Sequence, residues 1–572
     1  MQSQQTFSSQ GLRRNSSPVS KPKQGKLPLV LLSIVIGLVP AAFAAGVPAY
    51  KMQQIVVPSA TFTYANALNK SGAVVGNFGN SSSVTQGFEF SGGKYKTIAV
   101  PHANNFTRAN GINDAGLIAG DFLGTDGFYH GFTLSGSKYT QFDVKKGKVS
   151  TSIFGVNNNG DFAGAAGFGG PNQGFVDIGG TITKFYGSGT DNTFALAINN
   201  SDQAVGQYYD SSNLSHGFFR DSTGVITEII PPGATQTACL GINDSGVITG
   251  WYINGAGQSY AFTDTAGVFV TLDWLELNGI NNNGIFVGVY IGPGTAGATE
   301  YGFLATPTTL KSLGTIAVSM AESTSVIAVN NANVMVGYYQ NSSGDLHGME
   351  LSGSKVKNID NPNAISGETF PGGINSANEV VGLYYNTGNV GQGFLYSGGK
   401  FTDIGPAGAT YSQAENINDS GVIAGYYTDS SSVEHGFTYD GSTYTTIDVP
   451  GASATLAWGI NASGIVTVDY TDSFGLSEAA TYDGTTFTPL NIPGAAGSSA
   501  HSINKSGDIV FSWYDYYGFI HGAVMIGGSY YIFDEPNSTS TRADGINDSG
   551  LMVGRYLQSG STTDFDGFKG VL

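Results

Sequence analysis

The chain has 572 residues, 84 of them glycine, with 40% hydrophobic and only 12% charged residues and a formal net charge of −18. So much glycine with so little charge excludes a helical, Glu/Lys-rich protein, and the hydrophobic fraction excludes a disordered one. The acidic balance repels nucleic acid and anionic lipid, so nucleic acid is not expected as a partner.

Residues 1–44 stand apart. Arg13, Arg14, Lys21, Lys23 and Lys26 precede an apolar run from Leu27 to Pro40, and Ala42-Phe43-Ala44 supplies a small-x-small cleavage pattern. This predicts a signal peptide over 1–44, cleaved near Ala44, and a secreted or cell-surface mature chain. The alternative is a retained membrane anchor, because Leu27–Val47 is nearly long enough to span a bilayer. A membrane is a partner only in that case. Cleavage removes five basic residues and no acid, taking the net charge from −18 to −23. The lone Cys239 excludes an internal disulfide, so a large core must hold an exported chain together. Cys239 itself fills a slot that other copies of the repeat give to a small residue.

From residue 45 onward one unit recurs. An aliphatic-Asn pair appears at Asn69, Asn113, Asn157, Asn199, Asn243, Asn281, Asn330, Asn375, Asn418, Asn461, Asn504 and Asn547, at spacings of 38 to 49. A period near 43 built from short extended runs predicts an all-β fold, a β-propeller of twelve four-stranded repeats. The strands of each repeat are denoted a to d in chain order. The asparagine ends strand a. Three residues later nine copies carry Gly, as at Gly421, and the others carry Asp202, Asn333 and Asn378. Those are the residue types that tolerate φ > 0, which predicts a tight a–b hairpin whose asparagine side chain bonds the turn.

Seven residues after the asparagine ten copies have Gly, as at Gly425, but copies ten and eleven have Val468 and Phe511. The strand-c residue that is Phe437 in copy nine shrinks to Ala480 and Ala523 in those same two copies. Bulk lost from strand c reappears in strand b, so the two positions are predicted to face each other.

The ends are out of phase. Tyr50–Pro58 reads as a strand d with no repeat before it, and the C-terminus stops on a strand c. Ring closure by borrowed strands hides such open edges. Two six-bladed propellers over 45–314 (repeats 1–6) and 315–572 (repeats 7–12) are expected, with a single twelve-bladed ring as the alternative. In the two-ring form Tyr50–Pro58 completes repeat six, and a strand within Thr309–Val318 completes repeat twelve.

The repeat G-I-N-D-S-G-V-I-A-G-Y-Y…H-G-F…I-D-V-P-G-A resembles the HAF family of extracellular bacterial repeats over about Tyr50–Leu572. The resemblance implies export and a bacterial origin and brings no catalytic residues. Copies ten and eleven depart from its Gly-Phe pattern.

Candidate chemistry is sparse. His130, His216, His347, His435 and His521 share one slot before Gly-Phe or its equivalent, where other copies place Gln, Tyr, Glu or Asp. A metal ligand does not exchange for Gln, so a hydrogen-bonding role at a blade edge is expected. His102 and His501 lie outside that slot. The N-D-S-G turns offer one carboxylate each, so no cofactor is expected, and calcium at Asp210-Ser-Ser or Asp429-Ser-Ser stays open. Gly292–Gly297 spells G-x-G-x-x-G, but no βαβ unit surrounds it.

In a meander the a–b and c–d turns share one face, and the b–c and d–a loops share the other. Only the latter vary here, and variable loops on a rigid scaffold are where binding function sits. Trp274, Asp472, Phe474, Asp515, Tyr516 and Tyr517 are the candidate ligand-binding residues, suited to a carbohydrate or an extracellular protein. The expected function is a binding, adhesion or scaffold module. The alternative is a polysaccharide-cleaving hydrolase or lyase. An enzyme would bring acids or a Tyr/His base together at a ring centre, and the repeat pattern predicts no such convergence.

Overall fold

A computed structural model describes residues 47–572, apart from 81–83, 146–148, 168–170, 188–191, 273–275, 295–296, 317–320, 474, 516–517, 536–537 and 559–564. The predicted signal peptide lies outside the described residues. Repeats one to five and seven to ten each form a four-stranded antiparallel meander. Repeat nine is typical, with strands Tyr411–Ile417, Ile423–Thr428, Glu434–Tyr439 and Tyr444–Ile447.

The asparagine that ends strand a does two jobs. Asn418 Oδ1 accepts from the backbone N–H groups of Ser420 and Val422, both at 3.0 Å, which holds its own turn. Its Nδ2 donates to the carbonyl of Asn461, the same residue of the next repeat, at 3.1 Å. All twelve asparagines are buried. They pass this bond along two closed circuits at 3.0–3.3 Å. Asn281 returns to Asn69 and Asn547 returns to Asn330. The protein is therefore two six-bladed rings, and the twelve-bladed alternative is set aside. The third turn residue has φ between +59° and +85° in every repeat, including Asp202, Asn333 and Asn378. Most side chains are strained there; Gly has no Cβ and the short polar side chains of Asn and Asp tolerate it, which is why these three types alone occupy it.

Borrowed strands close both rings. Val47–Ile55 pairs antiparallel with residues 302–310 as the fourth strand of repeat six. The chain then runs straight on: one continuous strand, Gly297–Ile316, supplies strand c of repeat six. Its far end, Lys311–Ile316, pairs with Gly567–Val571 as the fourth strand of repeat twelve. The free edge of Val47–Ile55 pairs with strand d of repeat eleven, Ala49 opposite Phe533 and Met52 opposite Tyr530. Repeats six, eleven and twelve thus join into one eleven-stranded sheet across the rings, which removes strand edges that would otherwise recruit other chains. One hydrophobic cluster spans the seam, holding Met52, Phe286 and Phe303 with Trp513, Phe511 and Ile532.

Within each blade the strand-b glycine sits directly opposite the strand-c phenylalanine, as in the Gly425–Phe437 pair. In repeats ten and eleven the opposed pairs are Val468–Ala480 and Phe511–Ala523. A second constraint acts on the same glycine. A Cβ on Gly425 would lie 2.1 Å from the Gln413 carbonyl oxygen as well as 2.9 Å from Phe437 Cζ. The strand-a backbone therefore crowds this position independently of the aromatic ring.

Both contacts can be measured through stability. Asn418→Ala costs about 1–3 kcal/mol by leaving turn N–H groups and the Asn461 carbonyl unpaired. Asn418→Asp keeps the turn acceptor but sets an oxygen against that carbonyl, so it also loses stability. Equal denaturation midpoints for the Asn418→Asp variant and the wild-type protein would show the inter-blade bond to be inert. Gly425→Val costs about 1–3 kcal/mol or more by overpacking. Adding Phe437→Ala restores part of it, the remainder belonging to the Gln413 carbonyl, and strictly additive effects in that double-mutant cycle would rule out the contact.

Candidate functional site

The histidine slot is structural in geometry. Each histidine directs Nδ1 at an acid twelve or thirteen residues on: His130 to Asp143 at 2.7 Å, His216 to Glu228 at 2.5 Å, His347 to Asp360 at 3.1 Å, His435 to Asp448 at 2.9 Å and His521 to Asp534 at 2.9 Å. The bond ties strand c to the end of strand d. In four of the five, a b–c loop carboxylate approaches Nε2 from the other side, at 3.1–3.9 Å. Among the described residues no group of three or more His, Cys, Asp or Glu is arranged to hold a metal ion. Cys239 is buried.

Of the loop candidates, Asp472 and Asp515 are described. Each carboxylate accepts from the backbone N–H four residues ahead, Leu476 and Phe519, both at 2.9 Å. Asp210 and Asp429 make the same bond to Leu214 and Val433. These acids shape their own b–c turns. Trp274, Phe474, Tyr516 and Tyr517 lie outside the described residues.

The chemistry gathers elsewhere, on the axis of the second ring. Strand a is the innermost strand, and the residue three before each asparagine points along the channel. In the first ring that slot holds Asn66, Asn110, Phe154, Leu196, Leu240 and Asn278. The polar members are engaged with their neighbours. Asn66 Nδ2 donates to Asn77 and to the Ala109 carbonyl, and Asn110 Nδ2 to Asp121 and to the Ile153 carbonyl, all at 2.9–3.1 Å. Arg108 grips the fully buried Asp121 with two bonds of 3.0 and 2.6 Å.

In the second ring the same slot holds Ile327, Gly372, Glu415, Trp458, His501 and Asp544. With Arg542, Arg555 and Tyr338 they line a cavity of about 310 Å3. Arg555 Nη1 donates to Tyr338 Oη at 2.7 Å, and its Nε faces Asp544 Oδ2 at 3.3 Å. Trp458 stands edge-on to His501, ring centres 5.3 Å apart, and His501 Nε2 meets Ser512 Oγ at 2.6 Å. Five polar atoms of the lining residues are buried without a hydrogen bond among the described residues: Glu415 Oε1, Trp458 Nε1, Arg542 Nε and, despite their approach to each other, Arg555 Nε and Asp544 Oδ2. Glu415 as a whole is 7% exposed.

Electrostatics sharpen the contrast. Burial, reinforced by Asp469 and Asp544 against Arg555, pushes the Glu415 carboxyl up to about 8. Burial raises Asp469 to about 7 against the bonds it accepts from Ser499 and Ala500. Burial together with Arg542 and Arg555 drives His501 down to about 3, so its imidazole is neutral. At neutral pH the cavity holds a protonated carboxyl, a neutral imidazole and two guanidinium groups.

The expectation that no acids or bases converge at a ring centre is thereby corrected. The positions that define the repeat hold no such break, whereas the charged residues occupy a slot that is never constant. Aligning the copies on the residue three before asparagine would have exposed Glu415, Trp458, His501 and Asp544 as a run.

Fold and cavity together define a β-propeller protein of two rings, the second of which carries an axial cavity. No family profile and no curated protein matches the sequence. Among solved structures the chain is similar to the SapL1 lectin, crystallised with α-methyl fucoside, at 14% identity and a TM-score of 0.32, covering 45% of this chain and 98% of that one. It is also similar to the BP39L lectin of Burkholderia pseudomallei (12% identity, TM-score 0.25, 58% and 94% covered). A gluconolactonase of Xanthomonas campestris matches at 12% identity and a TM-score of 0.29, over 44% and 88%. The likeness is one of blade architecture.

His521 offers a pH test of the slot. Burial opposes its charge, but Asp534 and Asp515 outweigh burial and raise its pKa from 6.5 to about 10. A raised folded-state pKa stabilises fully below the unfolded value and fades as pH climbs through the folded one. His521 should therefore still be an imidazolium at pH 8 by NMR. Relative to His521→Gln, wild-type stability should decline between pH 6.5 and 10; a neutral ring at pH 8 would contradict the clamp.

Proposed function

We propose that the chain is an exported, non-enzymatic binding protein that takes the end of a saccharide into the axial cavity of its second ring. The observation that carries this reading is the group of buried polar atoms without hydrogen bonds among the described residues, Glu415 Oε1 and Arg542 Nε among them, in residues that line a cavity walled by aromatic side chains. An unpaired buried polar group costs stability, about 1–3 kcal/mol and more when charged, unless something binds there. The cavity volume falls at the lower end of ligand pockets, about 300–1,000 Å3, which suits a sugar unit rather than a folded partner. Trp458, Tyr338, Phe370 and Tyr385 supply apolar faces, and Gln413 and Asn416 supply amides, the mixture that sugar rings require. Export is supported by the basic and apolar segment ending at Ala44 and by the resemblance to HAF repeats.

A second reading, a saccharide-cleaving hydrolase or lyase, is favoured by one observation. Two buried carboxyls with raised pKa values, Glu415 and Asp469, lie at the same ring centre, and paired carboxyls can serve acid-base work.

A glycan array with the purified mature chain separates the two. Retention without turnover is expected, and Trp458→Ala should weaken it about tenfold, the order of one buried aromatic contact. Release of shortened product would establish the enzyme instead. No retention of any glycan would refute the saccharide reading.

A further inference from the structure

Arg542 and Arg555 are register partners on adjacent strands of repeat twelve. The Nε of each is buried without a hydrogen bond, but Arg555 has an ion pair with Asp544 and a bond to Tyr338, whereas no carboxylate among the described residues forms an ion pair with Arg542. Burial and the neighbouring Arg555 both raise the cost of the Arg542 charge, and Asp544 offsets them only in part. A cation held this way in a partly dry channel is unfavourable until an anion joins it. One unsatisfied guanidinium calls for a single negative charge. A planar carboxylate matches the planar guanidinium fork, which can bond both oxygens at once. Glu415 stands in the same cavity with a proton to donate, so a carboxylate meets two donors there.

We propose that the axial cavity of the second ring selects a sugar bearing one carboxylate, a uronic acid, anchored on Arg542 with Glu415 as a second donor. This rests on the saccharide-binding reading. The mature surface carries a net charge of −23 once residues 1–44 are removed. It repels a polyanion at long range, so the ligand is a free acidic sugar or a single acidic residue ending a neutral glycan, not a polyuronate.

The pH dependence has a definite sign. Glu415 is faced by Tyr411 and Tyr426 from its own repeat, by Asp469 from repeat ten, and by Asp544 and Arg555 from repeat twelve. Below about 8 its carboxyl is neutral and donates; above that it becomes a carboxylate and repels the ligand. Affinity for a uronate therefore falls on going from about pH 6.5 to about pH 9, while affinity for a neutral sugar does not follow it.

Isothermal titration of the whole mature chain with glucuronate, galacturonate, glucose, galactose and inorganic sulfate tests this. Each uronate should bind about tenfold tighter than its neutral counterpart, the size of one charge-assisted hydrogen bond. Arg542→Gln should erase that preference, Arg542→Lys should restore part of it, and Glu415→Gln should flatten the pH dependence, with circular dichroism confirming each fold. If Arg542→Gln does not fold, the Lys variant and the sugar comparison on the unaltered chain decide. Equal binding of neutral sugars, or sulfate binding in preference to uronate, overturns the carboxylate assignment and leaves the saccharide reading standing. Binding of no sugar at all brings both down.

Discussion

The amide of one asparagine per repeat is the bond on which everything else depends. Its oxygen closes a turn within a blade, and its nitrogen reaches the equivalent carbonyl of the next blade. Asparagine carries its acceptor and its donor on two separate atoms of one short, uncharged side chain, so it can face two ways at once; a hydroxyl has both on a single atom, aspartate lacks the donor, and glutamine is a methylene longer. Because each amide hands on to the next, the circuit fixes the angle between blades, and six such steps bring Asn281 back to Asn69. The aspartates that follow some of the asparagines add a second strap outside the first, as where Lys70 N–H donates to Asp114 at 2.8 Å. Blade number is thus set at the buried end of the channel, leaving the other end free to vary.

That freedom is used differently by the two rings. The first sets Leu196, Leu240, Phe154 and amides bonded to their neighbours around its axis, and its Arg108 is locked to Asp121. The second places Glu415, His501, Asp544 and Arg555 around its axis and leaves charge unbalanced. The same scaffold therefore carries two different axial linings. A fully satisfied polar network rigidifies, whereas buried polar groups without partners cost stability.

Much of the scaffold was legible. The Gly, Asn or Asp requirement at the third turn residue reports φ directly, and the exchange of bulk between Phe511 and Ala523 reports a cross-strand contact. The orphan strand before repeat one led to ring closure, although the observed strand begins at Val47 rather than Tyr50. What stayed hidden was long-range. The second bond of Asn418 leaves no trace in spacing, because its partner is a backbone carbonyl that every residue has. The acid thirteen residues after most slot histidines is periodic and was open to reading, as His347 with Asp360 and His435 with Asp448 show. The axial cavity needed knowledge that Ile327 and Asp544, 217 positions apart, are neighbours around a ring, and only closure of Asn547 onto Asn330 makes them so.

The seam strand carries a kinetic consequence. Val47–Ile55 emerges early in synthesis, yet its two neighbours are residues 302–310 and 530–533. It must wait as an unpaired extended segment until more than half of the chain is made, and one of its edges waits for residues 530–533. Sequence-distant pairing of this kind is slow, and an exposed strand is open to wrong partners meanwhile. Neither ring can be finished early: the first lacks its latch until repeat six arrives, and the second lacks one until repeat twelve folds back onto Lys311–Ile316. Closure of the second ring thereby waits for Gly567–Val571, so a chain lacking those residues would leave the second ring open and its latch strand half-paired.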